Sequence, residues 1–274
     1  MSEYTVSVEG EPSETGEYAL FSGGNDSLVS THYVLESSER YDVDRVVYLD
    51  TRTGIPANIA HVRDVCETFD WELVLARAPI SLYEFATGEG PGDRDVYGFP
   101  GPGAHSWAFR YFKERGIQAL AERFDGYPRF FTGVRRHESS RRMRTVGGRV
   151  RDRDGKWQYV NPIWDWTDER VDAYRERHDL PRNPVAERLG RSGDCYCGAF
   201  ASRETELLEL EAHYPAHYAF IMGIEEAVQS AIGVDRENCF WGFQGLSRQE
   251  LRALLAAEDP DQLSLCATCD IPRP

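Results

Sequence analysis

A short apolar run, Tyr18-Ala19-Leu20-Phe21, passes through Ser22-Gly23-Gly24-Asn25-Asp26-Ser27 directly into the helix-like stretch Leu28 to Leu35. A strand that ends in two glycines and enters a helix without a linker leaves several backbone N–H groups aimed at one point. The helix dipole adds partial positive charge there. Phosphate is the natural guest of such a point. The pattern differs from a Walker loop, because no Gly-Lys-Ser/Thr follows and no loop lysine meets the β- and γ-phosphates. Downstream, Arg45-Val46-Val47-Tyr48-Leu49-Asp50 reads as a buried strand, about 55–69 as a helix, and Trp71 to Ala76 as a third strand. Strand, helix, strand, helix, strand predicts right-handed crossovers and a parallel sheet, that is, a doubly wound, mostly parallel α/β domain. Ligands of such sheets sit beyond the carboxyl ends of the strands, where Asp50 and Thr51 follow the second one.

The 274 residues are enough to bury a full core, and nothing in them repeats. Residues 1–16 are acidic and polar without an apolar leader segment, and no window approaches a membrane span. A cytoplasmic protein without membrane contact is expected. Lys+Arg 31 against Asp+Glu 46 gives a net charge of −15, and lysine occurs only at Lys113 and Lys156. Such a balance argues against a nonspecific nucleic-acid coat and is the composition expected of a salty cytoplasm. An anionic ligand must then be met locally, by arginine. The segment 135–153 reverses the sign: it carries eight arginines, Arg135, Arg136 and Arg142 among them, against Glu138 and Asp152. Guanidinium forks bind phosphate and sulfate bidentately, which gives this cluster a purpose.

Several segments together carry a resemblance. Ser22 to Ser27 resembles the pyrophosphate loop (PP-loop) of the adenine nucleotide α-hydrolase superfamily, which includes ATP pyrophosphatases and sulfonucleotide reductases. Leu49-Asp50-Thr51 resembles that family's Leu-Asp-Thr-Gly segment, although the glycine, Gly54, arrives two positions late. Thr132-Gly133-Val134-Arg135-Arg136-His137-Glu138-Ser139, after a strand expected at 128–134, is similar to a segment of phosphoadenylylsulfate (PAPS) reductase-like proteins. So are Asn161 to Glu169 and Leu180-Pro181-Arg182-Asn183-Pro184, so that the likeness spans 18–198. The resemblance implies nucleotide-binding roles for Ser22, Gly23, Gly24, Asn25, Asp26, Ser27, Asp50, Thr51, Gly133 and Arg136, with Asp26 positioning Mg²⁺. It implies phosphate contacts in catalysis for Arg135 or Arg136 and for Arg142. Between these segments, 146–160 reads as a hairpin turning at Asp154-Gly155. Residues 88–105, rich in Gly and Pro, read as a covering loop, with His105 a weak site candidate.

Six cysteines remain. Cys195-Tyr196-Cys197 and Cys266-Ala267-Thr268-Cys269 form two close pairs separated by 68 residues, with helices expected between them. In a reducing compartment such pairs bind metal more often than they form disulfides. Four thiolates suit tetrahedral zinc or a [4Fe–4S] cluster, and the cluster is favoured. Cys66 and Cys239 read as buried thiols. The expected division is a segment 1–16, a nucleotide-binding α/β domain 17–190, and a helical, cysteine-bearing region 191–274.

Three functions are compatible with this reading. The first is an ATP pyrophosphatase that adenylates an acceptor, in sulfur transfer to nucleic acid of the phosphorothioation type. The second is an iron–sulfur PAPS or APS reductase, for which a Glu-Cys-Gly-Xaa-His motif beyond Cys269 is wanting. The third is a non-catalytic nucleotide-binding subunit. Adenine nucleotide is the expected ligand, with a nucleic acid, sulfur-transfer proteins or a second copy of the chain as partners.

Overall fold

The computed structural model describes residues 5–89, 97–136, 148–234 and 236–243. Its centre is a seven-stranded sheet: β1 (Ser7–Glu9), β2 (Glu17–Leu20), β3 (Arg45–Asp50), β4 (Leu73–Arg77), β5 (Arg129–Phe131), β6 (Val150–Arg153) and β7 (Trp157–Val160), ordered β1-β4-β3-β2-β5-β7-β6. The pairs β4/β3, β3/β2, β2/β5 and β5/β7 are parallel, while β1 on β4 and β6 on β7 close the two edges antiparallel. The chain winds outward from β2 through β3 to β4, then returns to place β5 on the other side of β2. That reversal opens a crevice at the carboxyl ends of β2 and β5.

Side-chain alternation explains why both faces are covered. Val46 and Tyr48 of β3 join one buried cluster and Val47 the opposite one. On the first face pack α1 (Asn25–His32), α2 (Pro56–Thr68) and α6 (Asp168–Arg177), through residues such as Leu28, Val62 and Val171. On the second packs α5 (Arg115–Ala121), through Ile117 and Leu120. Local chemistry sets the helix starts. Pro56 occupies the first turn of α2, a Ser81/Glu84 capping box opens α3 (Leu82–Thr87), and the Thr167 hydroxyl accepts from Arg170 N at 3.3 Å ahead of α6.

Two segments depart from the sequence reading. Ser7–Glu9, inside the stretch given only as a polar segment 1–16, is a strand; three residues with one inward apolar side chain, Val8, carry too little periodicity to be recognised. The helical run after the Gly- and Pro-rich stretch, for which no break was expected, is broken in character: α4 (His105–Phe109) and α5 are joined by one π-turn, Arg110–Glu114.

A third cluster carries the C-terminal helices. Phe85, Phe99 and Phe112 pack with Tyr196, Ile221 and Trp241, so α7 (Pro184–Leu189), α8 (Arg203–His213) and α9 (Pro215–Ile232) share a core with the α/β part across residue 190. Inside it Glu225, 2% exposed, pairs with Arg203 and accepts from Trp241 N at 2.7 Å, while Arg203 Nη1 donates to Trp241 O at 2.7 Å. No helix among the described residues is long and apolar enough to cross a membrane. Because removing one member of a buried pair strands the other charge, Glu225→Ala should lower stability by about 3–5 kcal/mol. The double change with Arg203→Met should restore part of this, as read from denaturant midpoints.

Candidate functional site

The glycine loop is held from both sides by asparagines. Gly23 has φ +84°, and a Cβ there would lie 2.1 Å from Asn58 Oδ1. Asn58, fully buried on α2, donates through Nδ2 to Ser22 O at 3.0 Å and to the Tyr48 hydroxyl at 3.2 Å. Asn183, 1% exposed, donates through Nδ2 to Gly23 O at 2.8 Å and Asn58 Oδ1 at 2.7 Å, and its Oδ1 caps α7 by accepting from Val185 N at 2.8 Å. Gly24 is the N-cap residue of α1, whose first backbone bond runs from Leu28 N to Gly24 O. The amides of Asn25, Asp26 and Ser27 precede that bond and have no intrahelical acceptor. Ser27 Oγ donates to Gly24 O at 2.8 Å and sits 3.1 Å from Ser22 Oγ, fixing the bend.

The loop after β5 presses onto this turn. A Cβ on Gly133 would stand 2.5 Å from Asp26 C and Ser27 N, so only glycine fits. Ser30 Oγ donates to Thr132 O at 2.9 Å, tying α1 to the end of β5. Arg135, 7% exposed, donates from Nε to Asp26 Oδ2 at 2.9 Å and pairs with Asp168 at 2.7 Å. Its pKa is raised by these two carboxylates against the opposing pull of burial. Arg135 therefore meets the loop through Asp26. Arg136 lies outward, 3.3 Å from Asp165.

Asp50 and Thr51 act on loops. Asp50 accepts from Arg52 N at 2.9 Å and Arg77 Nε at 2.8 Å, and Thr51 Oγ1 donates to Asp194 O at 2.7 Å. Thr53 Oγ1 accepts from Tyr196 N at 3.0 Å and donates to Cys195 Sγ at 3.5 Å. A Cβ on Gly54 would come within 2.8 Å of the Gly193 and Asp194 carbonyls, which accounts for a glycine at that offset position. The loop after β3 is thus the seat of the cysteine loop, and Ser192 in turn lies against Gly24.

Cys195 and Cys197 stand side by side. The Cys197 S–H toward Cys195, helped by Lys113, lowers the Cys195 pKa, and Cys197 is pushed up in exchange. Lys113 is anchored to Asp194 Oδ2 at 2.6 Å. Two adjacent thiols, the Cys195 pKa drawn down and that of Cys197 pushed up, fit half of a four-cysteine metal centre. Arg142, Cys266 and Cys269 lie outside the described residues, and among these no group of three or more candidate ligands gathers. Cys66 and Cys239 are buried thiols, and burial pushes the Cys66 thiol up to about 12.

Loop, β5 turn and thiol pair open into one cleft of ≈ 1250 Å³. Its opposite wall is the π-turn, which directs Arg110, Lys113 and Glu114 inward, and Arg151 and Arg153 of the hairpin border it. From 97–105, Pro102, Gly103 and His105 reach the rim; residues 90–96 of the expected cover lie outside the described residues. Sequence reasoning missed Asn58 and Lys113. Asn58 carries no pattern of its own, whereas a lysine in a chain that otherwise uses arginine was a usable signal.

Residues 18–197 match the model of the phosphoadenosine phosphosulfate reductase domain. The chain belongs to that family. A Phosphoadenosine 5'-phosphosulfate reductase from Alkalilimnicola ehrlichii is 30% identical over 166 residues, covering 59% of this chain and 61% of the relative. One from Xylella fastidiosa is 43% identical over 58 residues, 21% of this chain and 23% of the relative. An Adenosine 5'-phosphosulfate reductase from Salinibacter ruber is 29% identical over 144 residues, 51% of each. These matches span less than two thirds of each relative's length. Among solved structures, a PAPS reductase from Candida auris in phosphate complex aligns at TM-score 0.44 and 19% identity, covering 63% of this chain and 77% of that one. The U34-tRNA thiolase NcsA from Methanococcus maripaludis, with its [4Fe-4S] cluster, aligns at 0.38 and 14%, covering 89% and 82%.

The family shares the loop; its clamp can be tested in this chain. Asn183→Ala removes the donor to Gly23 O and leaves Asn58 Oδ1 buried without it, so stability should fall by about 1–3 kcal/mol. Gly133→Ala should instead leave the core intact and displace the first turn of α1. The check is denaturant unfolding for the first variant and, for both, faster amide hydrogen exchange at residues 25–28 than in the wild type.

Proposed function

We propose that this family member is a PP-loop ATP pyrophosphatase that adenylates an acceptor oxygen, as one step in placing sulfur on a nucleic acid. The observation that carries the reading is the single cleft shared by the phosphate cradle and the Cys195/Cys197 pair. In it the amides ahead of Leu28, with the α1 dipole behind them, receive the β,γ-pyrophosphate. The acceptor oxygen attacks the α-phosphorus, the bond to the bridging oxygen breaks, and pyrophosphate leaves. Arg110, Lys113, Arg151 and Arg153 offset the charge that develops, by position and electrostatics.

Asp26 would hold Mg²⁺ beside the phosphates, with Arg135 keeping its carboxylate in place. The ion, when bound, neutralises phosphate charge. Ser22, Ser27 and Gly133 shape the cradle, and Arg142 belongs to the same proposal from its place in the family segment. Cys195 and Cys197, with Cys266 and Cys269, would hold a [4Fe–4S] cluster or zinc, which supplies a thiophilic centre for sulfur. A sulfonucleotide reductase is the second reading, favoured by the names of the curated relatives.

Purified protein with ATP, Mg²⁺ and an acceptor should release pyrophosphate, and Asp26→Ala should reduce that rate by 100-fold or more. Release of ADP and phosphate sinks the adenylation reading, and sulfite release from PAPS in the presence of a thiol reductant moves the assignment to the reductase. Anaerobic purification should give a brown protein whose iron is lost in Cys195→Ala; a colourless wild type holding one zinc selects the other metal.

A further inference from the structure

A second, smaller cavity of ≈ 290 Å³ lies beside the main cleft, between the α4–α5 run and the β6–β7 hairpin. Arg110, Glu114 and Arg153 border both spaces, so the two are neighbours that share these three side chains as a wall. The side groove brings together four cations, Arg110, Arg115, Arg153 and Lys156, against two carboxylates, Glu114 and Asp154. In a chain of net charge −15 this is a local reversal of sign, and it includes one of the only two lysines. Glu114 organises the junction by pairing with Arg153 and lying 3.9 Å from Arg110 Nε. The groove is also bordered by Trp157, 3% exposed.

The mouth of the main cleft adds an aromatic face. Phe200, 37% exposed, lies 4.6 Å from the His105 ring, centroid to centroid. His105 and Arg110 belong to the same helical run, five residues and about 7 Å apart along its axis. An aromatic platform next to a cationic groove is the pairing that single-stranded nucleic acid needs, bases on the rings and backbone phosphates on the cations.

We propose that the side groove binds a backbone phosphate of the acceptor, a single-stranded oligonucleotide whose neighbouring unit lies in the main cleft with its base against Phe200. This deepens, and rests on, the reading of the cleft as an adenylation site with a nucleic-acid acceptor. In an acidic protein such a strand is met locally, at this seam.

The test uses the full chain and 5′-fluorescein octathymidylate, followed by fluorescence anisotropy at low and moderate salt. The double variant Arg115→Glu/Lys156→Glu should bind at least tenfold more weakly. Its slope of log affinity against log salt should be shallower by about 1.4, the value for two lost contacts to a single strand. Its affinity for ATP should stay within twofold of wild type. Arg115→Gln/Lys156→Gln substitutes for it if the charge-reversed protein fails to fold. The inference is overturned if the variant binds the oligonucleotide as wild type does, or if ATP affinity falls equally. It is also overturned if wild type binds inorganic phosphate but no octathymidylate. Pyrophosphate release is measured in parallel: a protein that releases none yet loses oligonucleotide binding in the variant keeps this inference and discards the adenylation reading.

Discussion

The contact on which the site depends is between two buried amides, Asn58 and Asn183, and the backbone of the glycine loop. Neither is charged and neither touches the cleft, yet together they hold Ser22 O and Gly23 O at 3.0 and 2.8 Å. Backbone carbonyls bound to these side chains fix the loop just ahead of the amides of Asn25, Asp26 and Ser27, which have no intrahelical acceptor. Both asparagines sit on elements anchored elsewhere, Asn58 on α2 and Asn183 at the cap of α7, so sheet and C-terminal helices set the loop jointly. Buried amides in such a network are strongly specifying because an unmade bond in a low-dielectric interior is expensive.

Electrostatics follow the same logic of local placement in a hostile average. The cleft's cations are individually tied to carboxylates, Lys113 to Asp194 and Arg153 to Glu114. Those pairs keep long side chains in one orientation while leaving an excess of positive charge along the wall. Arg135 shows the other use of a guanidinium: buried and paired twice, it fixes Asp26 and joins α1 to α6.

Much of this was legible in the residues. The β-branched run of β3 and the glycine pair after β2 announced a wound sheet, and the strand order placed the cleft at their carboxyl ends. Asp154 and Gly155, with φ +54° and +69°, make the turn that an Asp-Gly pair predicts. What stayed hidden depends on distance in the chain. Asn58 reaches Asn183 across 125 positions, and Thr51 reaches Asp194 across 143, and no local period encodes such pairings. Even so, the odd offset of Gly54 was visible, and its reason appeared once the cysteine loop lay against it.

The π-turn at Arg110–Glu114 carries an evolutionary consequence. A wide turn holds one residue more than the regular helix needs, so a one-codon deletion would restore the ordinary ladder and relax it. The helix beyond the turn would keep its register, whereas Lys113 and Glu114, inside the turn, would be turned away from the wall they share with the hairpin. Selection for a sturdier helix and selection for a cationic cleft thus pull this position in opposite directions.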